Sequence, residues 1–281
     1  MRICIVQGIA AEENSEGGQF CKAWANLMRR NMDLVKGKDT ELTFRFSRRG
    51  FTGVEASYYA YTRDLADRDT LHAGVQAEKD GFDAVISTCF YDPYLRQIRQ
   101  AVNIPYVGYS EASMHVAAMM GAKFGMAVVG ASAVYDVQEL IDRYGLRERA
   151  VPIRVIDATP EQIAANVYDA HRGIEVFTKV ARELIADGAQ VLIDTCCMCS
   201  ASLRLAPGAE KEYPNGFTEV DGVPILDTLG AVIKMAEMLV ELKQAGSPWI
   251  SRKVYYARPT PQALEEAKMV VEYDGPGFWD C

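Results

Sequence analysis

Seven cysteines and three histidines hold most of the proton-transferring and nucleophilic capacity of this 281-residue chain. The opening Met1-Arg-Ile-Cys-Ile-Val6 is too short and too strand-like for a secretory leader, so a reducing, cytoplasmic setting is expected. There, cysteines are buried, metal-bound or reactive rather than a disulfide framework. Cys4 and Cys21 sit among apolar or helical neighbours and are expected to be small core residues, and Cys281 to be incidental. That leaves Cys89 and the cluster Cys196-Cys197-Met198-Cys199. A structural zinc site would need a second Cys-x-x-Cys pair or paired histidines, and only His72, His115 and His171 exist, so no metal is expected. Cys197 and Cys199 are then packing residues, or thiols that oxidise with Cys196.

Cys89 and Cys196 are singled out together by an internal repeat. Gly81-Phe-Asp-Ala-Val-Ile-Ser-Thr-Cys89 matches Gly188-Ala-Gln-Val-Leu-Ile-Asp-Thr-Cys196. Downstream, Asn103-Ile-Pro-Tyr-Val-Gly108 matches Gly222-Val-Pro-Ile-Leu-Asp227, and Phe124–Gly130 matches Arg2–Gly8 more loosely. Three matches in one order point to duplication, with each cysteine just past the carboxyl end of a strand. Ligand crevices of α/β units form at those ends. A pseudo-twofold between the halves would put the two thiols on opposite walls of one cleft.

Two thiols flanking a carbon acid can invert it: one thiolate removes the proton and the opposite thiol returns one to the other face. A thiol at a strand end that leads into a helix is activated by the helix N-terminus. After Cys89, Asp92 fits an N-cap and Pro93 the first helical position, so a helix is expected to begin there. The intervening N–H groups suit an enolate oxygen.

The elements that must hold these residues follow from the hydropathy pattern. Short apolar runs alternate with amphipathic stretches, as in a mostly parallel sheet covered by helices. Strands are predicted at Ile3–Val6, Leu42–Phe46, Ala84–Ser87, Tyr106–Val107, Gly125–Val129, Val151–Val155, Val191–Asp194 and Ile225–Leu226. Helices are predicted over Gln19–Lys36, Tyr58–Lys79, Ala133–Tyr144, Pro160–Asp187 with a break near Gly173, and Gly230–Ala245. Hydrophobic residues make up 49% of the chain and charged ones 24%, enough for a large core. The net charge of −8 argues against a nucleic-acid partner, and no apolar run spans a membrane.

At this point the sequence resembles the aspartate/glutamate/hydantoin racemase superfamily, and hydantoin racemases within it. The likeness rests on Cys89-Phe-Tyr-Asp-Pro-Tyr-Leu95, Ile104-Pro-Tyr-Val-Gly108 with Glu111-Ala112, Asp142-Arg-Tyr-Gly-Leu146, Asp187–Cys196 and Val223-Pro-Ile-Leu-Asp227, and covers roughly residues 1–245. It implies an α/β fold of two Rossmann-like lobes with mostly parallel sheets, related by a pseudo-twofold, with the active site in the cleft between them. The expected division is 1–115 plus 223–250 for the first lobe, 116–222 for the second, and 251–281 as a C-terminal extension. The resemblance also implies cofactor-independent proton transfer, with Cys89 and Cys196 as the acid–base pair, and substrate contacts from Asp227 and from the groups after each cysteine, Phe90 and Cys197 among them. Departures from the family pattern are Gln7-Gly-Ile-Ala10 after the first strand, Tyr91 two places after the first thiol, and Cys196-Cys-Met-Cys199 around the second.

Gln7, Phe90, Tyr91, Ser110, Thr195, Cys197 and Asp227 are the expected substrate contacts. Ser110 and Thr195 have hydroxyls that could instead satisfy backbone, and Tyr91 and Tyr94 could wall a cyclic substrate. Glu111 is expected to cap the following helix more than to line the cleft; Asp194 either orients Cys196 or caps a neighbouring helix. Ser47, Arg48 and Arg49 look like a solvated loop, and 204–221 an extended loop able to act as a lid. The leading expectation is a racemase or epimerase acting at a carbon next to a carbonyl, in a hydantoin-like cyclic amide or an amino-acid-like substrate. A decarboxylase or cis–trans isomerase using one thiol, or a non-enzymatic binder of small ligands, are the alternatives. The expected partners are a small-molecule substrate and further copies of the chain, with no cofactor, nucleic acid or membrane.

Overall fold

In a strand, successive side chains point to opposite faces, and the first strand, β1 (Arg2–Ile9), sorts its residues that way. Ile3 and Ile5 enter one apolar cluster while Cys4 and Val6 enter another on the opposite face. A strand buried on both faces belongs inside a helix-covered parallel sheet. The computed structural model, which describes residues 1–9, 13–51, 58–267 and 277–281, has that arrangement twice.

The first sheet holds β2 (Glu41–Phe51), β1, β3 (Ala84–Ser87) and β4 (Tyr106–Val107), all parallel, in the order β2-β1-β3-β4. The second holds β5 (Phe124–Val129), β6 (Arg154–Ile156) and β7 (Val191–Asp194), parallel, in the order β6-β5-β7. In each sheet the chain leaves a central strand for one neighbour and returns to the other side, which creates a topological switch point. The switch points lie between β1 and β3 and between β5 and β7. A two-stranded antiparallel ribbon, β8 (Glu219–Val220) with β9 (Val223–Pro224), completes the main body.

Connecting helices cover both sheets. α2 (Ala60–Lys79) and α3 (Leu95–Ala101) pack on the outer face of the first sheet around Ala73, Ala77, Phe82 and Ile98. α7 (His171–Ala186) covers the outer face of the second through Phe177, Val180 and Leu184. Between the sheets lie α1 (Glu16–Asp33), α4 (Tyr109–Met120), α8 (Cys197–Leu205) and α9 (Thr228–Gln244), in one continuous core with Ile3 and Ile5 of the first sheet and Phe124, Met126 and Ile193 of the second. α5 (Ala133–Arg143) adds Val137 and Leu140 to the same core. The fold is therefore mixed α/β with two mostly parallel sheets. Among the described residues, no helix is long and apolar enough to cross a membrane.

The repeat is visible in the turns that enter β3 and β7. α2 ends with Gly81 at φ +78°, whose N–H reaches Glu78 O while the Phe82 N–H reaches Ala77 O. α7 ends with Gly188 at φ +98°, whose N–H reaches Ile185 O while the Ala189 N–H reaches Leu184 O. Both are left-handed helix stops that glycine adopts without a Cβ penalty.

Several expectations need correction. The strand expected at Val151–Val155 begins only at Arg154, because Pro152 has no N–H to give a ladder. The long helix from Pro160 breaks at 166–170, not at Gly173, into α6 (Pro160–Ala165) and α7. Gly173 sits in the first turn of α7, where a Cβ would stand 2.7 Å from Asn166 Oδ1. Ser47 and Arg48 belong to β2 rather than a loop, with Ser47 buried and hydrogen-bonded to Asp69; the Arg49 side chain lies outside the described residues. Within the C-terminal segment, α10 (Pro261–Glu266) precedes β10 (Phe278–Asp280), which pairs antiparallel with β2 and stacks Trp279 on Phe46 at 4.9 Å. Cys281 exchanges two backbone hydrogen bonds with Phe44.

Candidate active site

The carboxyl ends of the switch-point strands converge on one cavity of about 140 Å³. β1 contributes Gln7, the end of β3 contributes Thr88, Cys89, Phe90 and Tyr91, β5 ends on Val129, and β7 leads to Thr195, Cys196, Cys197 and Met198. Cys89 and Cys196 thus line the same space, from different sheets.

A shared device sets both thiols. The backbone N–H of Cys89 donates to Ser87 Oγ at 3.3 Å, and that of Cys196 to Asp194 Oδ1 at 2.8 Å. Each bond closes a tight side-chain-to-backbone turn two residues long. Asp194 therefore orients Cys196, the first of the two alternatives open for it.

Beyond those turns the halves diverge. Cys196 is the N-cap of α8, with the Cys199 thiol and the backbone N–H groups of Cys199 and Met198 beside it at the helix start. Together these hold it below the ordinary thiol range in spite of burial. Cys89 has no helix start behind it. Asp92 takes φ +47° and turns inward, where it accepts the N–H groups of Ser110 and Glu111 at 3.0 and 2.9 Å, the Ser110 hydroxyl, and the Tyr144 hydroxyl at 2.5 Å. It thereby caps α4, not the helix after Pro93, and α3 begins only at Leu95. Burial pushes the Cys89 thiol up, and the neighbouring Asp67 carboxylate pushes it further. At neutral pH the cavity holds one thiol biased to its charged form and one biased to its protonated form.

The remaining wall is apolar and aromatic, with Trp24, Phe90, Tyr91, Val137, Ile163 and Met198. Phe90 is braced edge-on by Tyr109, and Tyr91 lies under the Arg63 guanidinium, 3.8 Å from the ring centroid. Among the described residues, Arg63 is the one cation that lines the cavity, and it pairs with Asp136 at 2.8 Å. Asp67, one turn along α2, is buried against the cavity; burial raises its carboxyl to about 7, with Arg63 opposing.

Of the expected contacts, Gln7, Phe90, Tyr91, Thr195 and Cys197 line the cavity together with both thiols. Thr195 Oγ1 donates to Ala127 O at 3.0 Å, which fixes the turn. Ser110 does not reach it, being fully buried on Asp92. Nor does Asp227, which caps α9 through the Gly230 N–H at 2.8 Å and accepts Asn31 Nδ2 at 2.9 Å. Glu111 neither caps nor lines the cavity, but pairs with Arg99 through both oxygens at 3.0 and 2.5 Å. Tyr94 bonds Asp64 outside the cavity. No residue of 204–221 lines it: Phe217 N–H ties to Leu203 O, and Asp221 pairs with Arg182. Trp24, Arg63 and Asp67 escaped the sequence because they lie on α1 and α2, far from the repeat. An Arg63-x-x-x-Asp67 spacing on one helix face was the available signal.

The family model for Asp/Glu/Hydantoin racemase matches residues 28–236. A hydantoin racemase of Pseudomonas sp. (strain NS671) is 27% identical over 205 residues, which is 73% of this chain and 76% of that protein. Another, of Rhizobium meliloti, is 27% identical over 196 residues, 69% and 73% of the two chains. The solved structure of allantoin racemase from Klebsiella pneumoniae superposes with a TM-score of 0.70 at 20% identity, covering 92% of this chain and 94% of that one, which carries the two-lobe fold. Matched over most of its length, with both cysteine turns inside the matched span, the chain belongs to the Asp/Glu/hydantoin racemase family and is an enzyme of the isomerase class.

Proposed function

We propose that this protein racemises or epimerises a small, neutral cyclic amide at the carbon next to its carbonyl, without a cofactor, using Cys196 and Cys89 as base and acid. The observation that carries this reading is that two thiols with opposite protonation bias line one cavity. Cys196 as thiolate takes the ring proton on one face, leaving an enolate. The Cys89 thiol then delivers its proton to the opposite face, ending as thiolate while Cys196 ends as thiol. The reverse direction starts from that second state. Backbone N–H groups at the start of α8 and in the turn after Cys89 can stabilise the enolate oxygen.

The lining favours a hydantoin-like substrate over a free amino acid. Aspartate or glutamate would bring an ammonium and two carboxylates into a cavity where, among the described residues, the one cation, Arg63, is already paired with Asp136. A cyclic amide carries no charge to desolvate, and its ring substituent meets aromatic and aliphatic walls. The volume of about 140 Å³ suits one ring, since cavities of about 150 Å³ accommodate benzene.

Incubation of single enantiomers of 5-substituted hydantoins in deuterated water tests this. Wild type should invert the centre and place solvent deuterium on it, and Cys89→Ser and Cys196→Ser should each lose inversion. Inversion at the wild-type rate in either variant overturns the two-thiol mechanism. Release of carbon dioxide from a malonate-type substrate without inversion of hydantoins would move the assignment to a decarboxylase.

A further inference from the structure

The family reading uses Cys196 but leaves Cys199 without a task, and the two are joined. Cys196 occupies the N-cap of α8 with extended backbone (φ −110°, ψ 115°), and Cys199 is the third residue of the nine-residue helix. Positions three apart face each other, whereas adjacent ones do not. That placement sets the Cys199 thiol beside Cys196, where it is the first cause of the lowered Cys196 thiol. Cys199 is otherwise enclosed, held by the Asn166 amide, whose Nδ2 lies 3.7 Å from its sulfur. Cys197, the neighbour in sequence, lies on the cavity wall instead. Only Cys196 and Cys197 of the three line the cavity, so a small oxidant entering by that route meets Cys196 before Cys199.

An accessible thiol at a helix N-terminus followed three residues later by a buried one is the arrangement of a redox-active Cys-x-x-Cys pair. We propose that Cys196 and Cys199 form a reversible intramolecular disulfide when the protein meets hydrogen peroxide, with Cys196 attacking and Cys199 resolving. In the first step the Cys196 sulfur attacks one peroxide oxygen. The O–O bond breaks, Cys196 becomes a sulfenic acid, and the departing hydroxide takes a proton to leave as water. In the second, the Cys199 sulfur attacks the Cys196 sulfur and an S–S bond forms. The S–O bond breaks, and the hydroxyl leaves as a second water with the Cys199 proton. Two thiols have lost two electrons and the peroxide has gained them; a dithiol reductant reverses the change. The consequence for catalysis rests on the proposed function, because the oxidised Cys196 can no longer take a substrate proton.

Hydrogen peroxide treatment of the intact protein tests this, followed by one alkylating label before reduction and a heavier one after it. The tryptic peptide spanning 183–204 carries all three cysteines, and fragmentation reads each. The expected result is the heavy label on Cys196 and Cys199 and the light one on Cys197, with the intact mass lower by two hydrogens. Cys199→Ser should instead accumulate a dimedone-trappable sulfenic acid at Cys196. Light label on both Cys196 and Cys199, or a disulfide mapped to Cys196–Cys197 or Cys89–Cys196, overturns the proposal. The label map needs neither the variant nor a substrate. Deuterium exchange into hydantoin should disappear with the disulfide and return with dithiothreitol. A mapped disulfide in a protein that never exchanges deuterium would sink the racemase reading alone.

Discussion

Ser87 Oγ and Asp194 Oδ1 stand in equivalent positions of the repeat, each accepting the backbone N–H of the cysteine two residues on. The turns they close are alike, yet the side chains differ in what they can bear. Burial raises the Asp194 carboxyl well above its ordinary range, with the Cys196 sulfur next in effect. The negative charge of that turn therefore resides on Cys196. Asp194→Asn keeps an acceptor oxygen for the Cys196 N–H and should fold with near wild-type stability. Asp194→Ala strands a buried donor and should cost about 1–3 kcal/mol. Urea unfolding of the two variants measures the difference, and equal losses would remove the turn from the account.

The opposite bias of the thiols has a direct chemical readout. Brief iodoacetamide labelling at neutral pH should modify Cys196 ahead of Cys89, because thiolate is the reacting form. Raising the pH through the ordinary thiol range should change the Cys196 rate little and bring Cys89 up late. Peptide mapping at several pH values gives both curves. Faster labelling of Cys89 at neutral pH would reverse the assignment of base and acid.

Asp67 gives a pH-dependent stability with a definite sign. Its carboxyl is raised from 3.8 to about 7 in the folded protein. Between those values the folded state holds a proton that the unfolded state has released, so this group's contribution falls as pH rises from about 4 to 7. Above that the loss is complete, at most about 4 kcal/mol for a shift near three units. Asp67→Asn should therefore match wild type near pH 4 and exceed it in stability at pH 8. Because Asp67 also pushes the Cys89 thiol up, the variant should label faster at Cys89. Denaturation midpoints across pH test the first effect; a variant less stable than wild type at pH 8 would contradict it.

Gly188 and Gly125 separate backbone strain from steric contact. A Cβ at Gly188 meets nothing within 4 Å but sits at φ +98°, so Gly188→Ala should cost about 1–2 kcal/mol from strain. At Gly125 a Cβ would stand 2.9 Å from Ala189 Cβ and Leu184 Cβ, where β5 passes against α7. Gly125→Ala should exceed the Gly188 loss, up to about 3 kcal/mol. Thermal or urea unfolding ranks the pair, and the reverse order would mean that α7 yields to a methyl group.

Much of this was legible because the repeat writes itself in local signals. A helix-stop glycine, a short aliphatic run and Thr-Cys recur at Gly81–Cys89 and Gly188–Cys196, and each signal depends on neighbours in sequence. The roles of Asp92 and Glu111 were not legible, since each is spent on a partner from another element: Asp92 on the start of α4, Glu111 on Arg99. An Asp-Pro pair reads as a helix start on propensity alone, and a left-handed turn at Asp92 overrode it. Asp227, a substrate contact by resemblance, and Ser110, one by its hydroxyl near a strand end, are engaged in capping and core contacts. Arg63 and Asp67 reach the cavity only through the packing of α2 on the first sheet, which spacing along the chain does not encode.

β10 has a consequence for colloidal behaviour. It covers the outer side of β2, an eleven-residue strand carrying Phe44 and Phe46, and leaves the first sheet bordered by strands of three and two residues. Short borders give another chain little backbone to pair with. Shortening the chain before Phe278 would bare the backbone edge of β2, and light scattering of such a variant should rise with concentration where the full chain stays constant. The last few residues would then shield that edge, while Trp279 reaches the cavity wall through Phe46 and Trp24.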